Sequence, residues 1–358
     1  MPSVPVIGPA ELAAGAAHEP LLGADARPVS PVLGVCLDEP ASPDVLAAAA
    51  HRARNCDRVL VGVCEGVAAE LSGETRLLAE ALDTNLTRRE PRHRHSPFVG
   101  ATDPATALSE VARAVESRPG AALVLAGLLR ATERHPVRDA LDAESFAYST
   151  LLGGDEFRRW LTARGPRRPS PRTADPVLCA RDGGTLTITL NRPARRNAYD
   201  RHVRDALVEA LTVAAFDPTL TRVLLTGAGP VFCSGGDLDE FGTAPDPVTA
   251  HLVRTRQGAG RLLHELRERV EARVHGTCVG SGIELPAFAA AVHAAPGTTF
   301  RLPEIGMGLI PGAGGTVSIP RRVGRWRTLH LALTGREIDA ATALSWGLVD
   351  SVDAHPAP

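Results

Sequence analysis

Two glutamates stand where a carboxylate is costly. One is Glu284, in Val274-His275-Gly276-Thr277-Cys278-Val279-Gly280-Ser281-Gly282-Ile283-Glu284-Leu285. The other is Glu304, in Phe300-Arg301-Leu302-Pro303-Glu304-Ile305-Gly306-Met307-Gly308-Leu309-Ile310-Pro311-Gly312-Ala313-Gly314-Gly315-Thr316. An ionised acid among apolar residues is expensive unless it is exposed, paired or functional. A third segment, Phe232-Cys233-Ser234-Gly235-Gly236-Asp237-Leu238, is rich in small residues that let a ligand approach the backbone. Each has an ordinary explanation alone: a tight strand-to-helix turn for 232–238, an acid favoured by the helix dipole for Glu284, a helix start after proline for Glu304. Together they fit acid/base chemistry beside an oxyanion hole. Apolar burial raises a glutamate's pKa toward neutrality, where it can give or take a proton. The free amides at the start of a helix can hold negative charge.

The elements that must position these groups read as α/β. In the second half, 186–190 alternates threonine with apolar residues as a strand does, 202–216 reads as a helix, and 223–226 as a strand ending at Gly227-Ala228-Gly229-Pro230. From 274 a strand runs through the glycine turn into an apolar helix expected to run through Phe288 and Val292. Upstream, 32–37 and 59–63 read as strands flanking a helix at 43–54 capped by Ser42, a βαβ pattern. Residues 90–104 read as a loop, and 105–163 shows apolar stripes at helical spacing. The boundary lies at 164–176, where four prolines and four arginines preclude a packed element. This gives a loosely ordered start (1–28), a first domain (29–165), a linker (166–176) and a catalytic unit (177–358).

Composition bounds the rest. The chain has 358 residues with a formal charge of −2, and its basic residues are all arginine. Nothing points to nucleic acid or an anionic membrane surface. The six cysteines, Cys36, Cys56, Cys64, Cys179, Cys233 and Cys278, form no CxxC pair or zinc-spaced cluster and read as reduced thiols, so no metal is expected. No basic leader precedes an apolar run, and no stretch reaches the ~20 apolar residues of a membrane helix, so a cytoplasmic protein is expected.

From about 177 to 353 the sequence resembles the enoyl-CoA hydratase/isomerase (crotonase) family. The resemblance is carried by Leu190-Asn191-Arg192-Pro193 with Asn197-Ala198, by 232–238, by the Gly276-to-Leu285 turn and by Pro303-Glu304 through Gly315. Leu333-Thr334-Gly335, Ala340 and Gly347-Leu348-Val349 complete it. It implies a spiral of ββα repeats that binds acyl-CoA, with the amides of Gly236 and Ser281 holding the thioester oxygen. Glu284 would activate water for attack at C3 and Glu304 would deliver the proton to C2. Arg195, Arg196, Ala198, Ser234, Asp237 and Leu238 fall where the family meets coenzyme A. Coenzyme A is then part of the substrate, no separate cofactor is implied, and the family's assembly is a trimer or a pair of trimers. Ser281 replaces the usual glycine, and Ala290 the usual aspartate. Keeping both acids favours a hydratase over an enoyl-CoA isomerase or another acyl-CoA lyase. It also argues against an inert scaffold, the reading from another class.

Family members continue well past the Gly-Leu-Val segment into helices that cover the acyl site, whereas this sequence stops at Pro358. Residues 106–165 resemble those helices, most closely in Glu144-Ser145-Phe146-Ala147-Tyr148-Ser149, Gly154, Phe157 and Trp160-Leu161. Residues 32–40 and 59–66 resemble shortened copies of 186–193 and 223–229. The first half therefore reads as a degenerate copy whose helices cover the catalytic half, in cis or from a neighbour, with an unrelated helical domain as the alternative. Arg164, Arg167 and Arg168 fit a solvated linker better than contacts to CoA phosphates, and His275 fits a packed or hydrogen-bonded histidine.

Overall fold

In the computed structural model the described residues are 4–91, 93–167 and 174–353. The first half contributes β1 (Val6–Ile7), β2 (Val32–Cys36), β3 (Val59–Cys64), β4 (Thr84–Thr87) and β5 (Phe98–Gly100). They form one sheet in sequence order with every pairing parallel. Such a sheet needs cover on both faces. In β3, Val59, Val61 and Val63 point into a core shared with the second half, while Leu60 and Cys64 face the helices Pro43–Arg54 and Gly73–Ala81.

The second half adds β6 (Val177–Asp182), β7 (Thr185–Leu190), β8 (Arg222–Gly227), β9 (Val270–Val274), β10 (Thr277–Val279), β11 (Ala291–Ala294), β12 (Thr299–Arg301), β13 (Ile338–Asp339) and β14 (Ser351–Val352). A six-stranded sheet runs β14-β11-β9-β8-β7-β6, and a three-stranded one runs β10-β12-β13. Successive turns of chain place one strand in the large sheet, the next in the small sheet, and then a helical turn. β9 and β10 lead to the helix Ser281–Glu284; β11 and β12 lead to the 3-10 turn Glu304–Met307. The segment after β8 joins the small sheet through a bridge from Cys233 to Cys278. This is the ββα spiral that the resemblance implies.

Some expectations change. The apolar helix beyond Glu284 is cut short: the α-helix ends there, Pro286–Phe288 is a 3-10 turn, and Val292 lies in β11. Pro286 has no N–H to continue an α-helix. Residues 90–104 contain β5, too short for its periodicity to register. The described part of the first 28 residues holds β1 and the helix Pro9–Ala14, whose Leu12 is buried in the same core as Leu46 and Ala49 of Pro43–Arg54. Linker residues 168–173, Arg168 among them, lie outside the described residues. Arg164 is half-buried rather than solvated, whereas Arg167 is exposed, as a solvated linker residue would be. Arg164 pairs with Asp239, and Arg167 donates to the carbonyls of Phe241 (3.0 Å) and Gly242 (2.8 Å).

The helices Pro104–Ser117, Pro119–Thr132, Val137–Leu152 and Asp155–Arg164 lie on the second half of the same chain. Val137–Leu152 packs along Pro247–Arg256, and Phe157 and Leu161 face Gly242. One apolar core runs through both halves, from Val32 and Val61 to Leu348.

Candidate active site

The two acids meet at Gly280. Its φ of 49° and ψ of −119° favour glycine. A Cβ there would lie 2.5 Å from Oε1 of Glu304 and 3.5 Å from Oε1 of Glu284. Two carboxylates therefore converge over one backbone position from different elements. The parallel pairing of Val279 with Arg301 aligns β10 and β12, and the Gly280 amide donates to the Arg301 carbonyl at 2.9 Å. Glu284 then closes the short helix after β10, and Glu304 opens the turn after β12.

The 232–238 turn is laid against this pair. The amide of Val279 donates to the Cys233 carbonyl at 3.0 Å, and a Cβ on Gly282 would fall 2.3 Å from that oxygen. Only glycine at 282 permits this approach. Gly236 and Ser281 are thereby brought to one cavity of about 630 Å3, also lined by Glu284 and Glu304. Among the described residues, their backbone N–H groups donate to no protein acceptor. The Ser281 side chain is buried with Oγ 3.8 Å from Cys233 Sγ, so the exchange for glycine leaves the amide in place.

The acids differ in their partners. Oε2 of Glu284 accepts from the amides of Ala313 (2.7 Å) and Gly315 (2.9 Å). Oε2 of Glu304 is buried and has no hydrogen-bond partner among the described residues. Burial pushes Glu304 up to about 7. Burial, followed by the charges of Glu304 and Glu144, pushes Glu284 well above the ordinary carboxylate range against the pull of its two amide donors.

A third acid completes the cluster. Glu144, from the helix Val137–Leu152, accepts from the Gly314 amide (2.8 Å), the Thr316 amide (2.9 Å) and the Thr316 hydroxyl (2.7 Å). Desolvation raises it to about 7. It grips one side of the glycine loop whose other amides hold Glu284. Sequence reasoning placed Glu144 in a covering helix and gave it no role at the site. The signal was its place on the stripe Leu141, Glu144, Tyr148, Leu152, all of which line the cavity. Tyr148 packs against Gly312, and the Arg254 guanidinium lies 4.4 Å over its ring.

Of the six positions where the family meets coenzyme A, Asp237 lines this cavity; Arg195, Arg196, Ala198, Ser234 and Leu238 lie outside its lining. The buried Asp237 carboxylate faces Arg192 (3.6 Å) and Arg195 (3.5 Å), and Arg195 also reaches Asp239 at 3.3 Å. Leu238 is exposed. Asn197, at a φ of 52°, accepts from the Arg192 amide (2.7 Å) and donates to the carbonyls of Ala228 (2.8 Å) and Val231 (2.9 Å). The Asn-Ala signature thus fixes the loop carrying these residues. His275 shares a hydrogen bond with the Gly229 carbonyl at 2.8 Å, away from the acids.

The sequence model of the family described as enoyl-CoA hydratase/isomerase matches residues 180–357. The chain is 36% identical over 178 residues to 1,2-epoxyphenylacetyl-CoA isomerase of Escherichia coli K12, covering 48% of this chain and 68% of that protein. It is 36% identical over 176 residues to 2,3-dehydroadipyl-CoA hydratase of the same organism, covering 49% of this chain and 68% of that one. The crystal structure of enoyl-CoA hydratase from Bacillus anthracis aligns at 31% identity with a TM-score of 0.47, covering 50% of this chain and 70% of that one. On the family model and the two Escherichia coli relatives, the chain belongs to the enoyl-CoA hydratase/isomerase family.

Proposed function

We propose that the protein adds water across the double bond of a 2-enoyl-CoA to give a 3-hydroxyacyl-CoA, or runs the reverse dehydration. The observation that carries this reading is the convergence of Glu284 and Glu304 at Gly280, beside the uncommitted amides of Gly236 and Ser281 in one cavity. Glu284, fixed by Ala313 and Gly315, takes a proton from water as its oxygen bonds to C3. The electron pair of the C2–C3 double bond shifts toward the thioester, whose oxygen gains charge. The amides of Gly236 and Ser281 hold that oxygen, and each such donor contributes about 3 kcal/mol to transition-state stabilisation. Glu304 then gives its proton to C2. At neutral pH this requires one acid ionised and one protonated; the two amide donors on Glu284 favour its ionised form, and the buried Oε2 of Glu304, unpartnered among the described residues, favours its protonated form.

In this reading coenzyme A is part of the substrate. Residues 104–164 do for this chain what the family's C-terminal helices do, covering the acyl end and excluding water. Exclusion of water strengthens every electrostatic interaction inside. The test is the absorbance of the conjugated enoyl thioester on a panel of 2-enoyl-CoAs. Wild type should abolish the band, and Glu304→Gln should slow this by about 10²- to 10⁴-fold. An unchanged band with wild type, while CoA thioesters still bind, would move the protein to other acyl-CoA chemistry such as isomerisation.

A further inference from the structure

Four arginines line the cavity: Arg201, Arg204, Arg254 and Arg261. Three meet carboxylates. Arg201 pairs with Glu240 and Arg204 with Asp205, both at 2.7 Å, and Arg261 pairs with Asp142. Arg254 pairs with none among the described residues. Its Nε donates to the Ser145 hydroxyl (3.1 Å), and its Nη2 to the Ser145 carbonyl (3.2 Å) and the Ser149 hydroxyl. Its guanidinium stacks on Tyr148. Nη1 makes no hydrogen bond among the described residues. Glu144 attracts Arg254 electrostatically, but its own carboxylate is occupied by Gly314 and Thr316.

A desolvated cation with neutral partners is costly, so a buried guanidinium is normally matched by an anion. The half-buried Arg254 guanidinium hydrogen-bonds only to serine oxygens and stacks on an aromatic face, which orient the fork, and Glu144 adds attraction without a hydrogen bond. The free edge is placed to take a carboxylate from inside the cavity. The same Tyr148 that carries the cation packs on Gly312, next to the Ala313 amide that holds Glu284. An anion on Arg254 would therefore share one cavity with Glu284 and Glu304, across Tyr148 from the loop that holds Glu284.

We propose that Arg254 recognises a carboxylate on the distal end of the acyl group, making the substrate class the CoA monothioesters of short dicarboxylic acids. Ser145 and Ser149 act as positioning residues for the guanidinium. The proposal rests on the acyl-CoA reading above and adds acyl specificity to it.

Equilibrium binding tests it without turnover. Saturated acyl-CoAs of four to six carbons, with and without a terminal carboxylate, and CoA alone would be titrated into the full-length wild type, Arg254→Gln and Arg254→Lys. At one chain length the wild type should bind the carboxylate-terminated thioester roughly ten- to a hundredfold tighter, as a charge-assisted hydrogen bond gives. Arg254→Gln should bring that ratio close to one, and Arg254→Lys should keep part of it. Preference for the neutral chain at every length would overturn the proposal. So would an equal loss of both thioesters and of free CoA in Arg254→Gln, which would assign the cation to the nucleotide phosphates or to the fold. A carboxylate preference without hydration of the matching enoyl thioester would sink the hydratase reading and leave this one standing.

Discussion

Burial raises the Glu304 carboxyl and makes it a liability to the fold. A carboxyl whose folded pKa lies above its unfolded value keeps a proton that the unfolded chain has released. Stability therefore falls as pH rises from the ordinary 4.5 through about 7. Urea unfolding of the wild type should show a lower midpoint at pH 8 than at pH 5. Glu304→Gln, neutral and nearly isosteric, should narrow that difference and gain up to about 3 kcal/mol at pH 8 while losing activity. A pH-independent midpoint in both would contradict the buried, raised acid. kcat/KM should be bell-shaped around neutrality, because the proposed reaction needs one ionised and one protonated carboxyl. Glu284 and Glu304 were legible because each is a lone acid in an apolar, glycine-rich run. Glu144 was not, because its partners, Gly314 and Thr316, lie far along the chain.

Among elements, the glycine loop 312–316 is gripped from two sides, by Glu284 and by Glu144. Glu144→Ala would strand two amides and a hydroxyl in a buried place, at a cost of roughly 2–4 kcal/mol. It should also lower kcat through loss of Glu284 alignment, measurable by thermal melting and steady-state kinetics on one preparation. Gly280→Ala should abolish turnover while thioester binding persists, because its Cβ would overlap Glu304 Oε1 in a backbone region alanine avoids. Longer elements such as Pro43–Arg54 and β7 were readable from periodicity and capping, since their burial repeats along the chain. β5 and the break at Pro286 were not, because three- and four-residue elements are set by their neighbours.

At the scale of the whole molecule, the first half supplies the roof of the cavity and part of the core beneath it. Its backbone also accepts hydrogen bonds from two buried arginines of the second half. Arg327 donates to the carbonyls of Phe98 (3.3 Å), His93 (3.0 Å) and Pro91 (3.2 Å) and pairs with Glu90, and Arg325 donates to Leu82 at 2.9 Å. Residues 170–358 expressed alone should be insoluble or inactive, because both cations and the apolar face of Val137–Leu152's partners would be bared; a soluble, fully active fragment would refute the shared architecture. The catalytic spiral was legible through its motifs. The parallel five-stranded sheet was not, because only its β2 and β3 unit carries a βαβ pattern strong enough to read.

The most direct test of the central claim is turnover of a 2-enoyl-CoA in deuterium oxide with product analysis. The account predicts a 3-hydroxyacyl-CoA carrying one deuterium at C2 from the wild type, and little or none from Glu284→Gln or Glu304→Gln. Loss of the enoyl band without a C3 hydroxyl, or full activity in either variant, would contradict it.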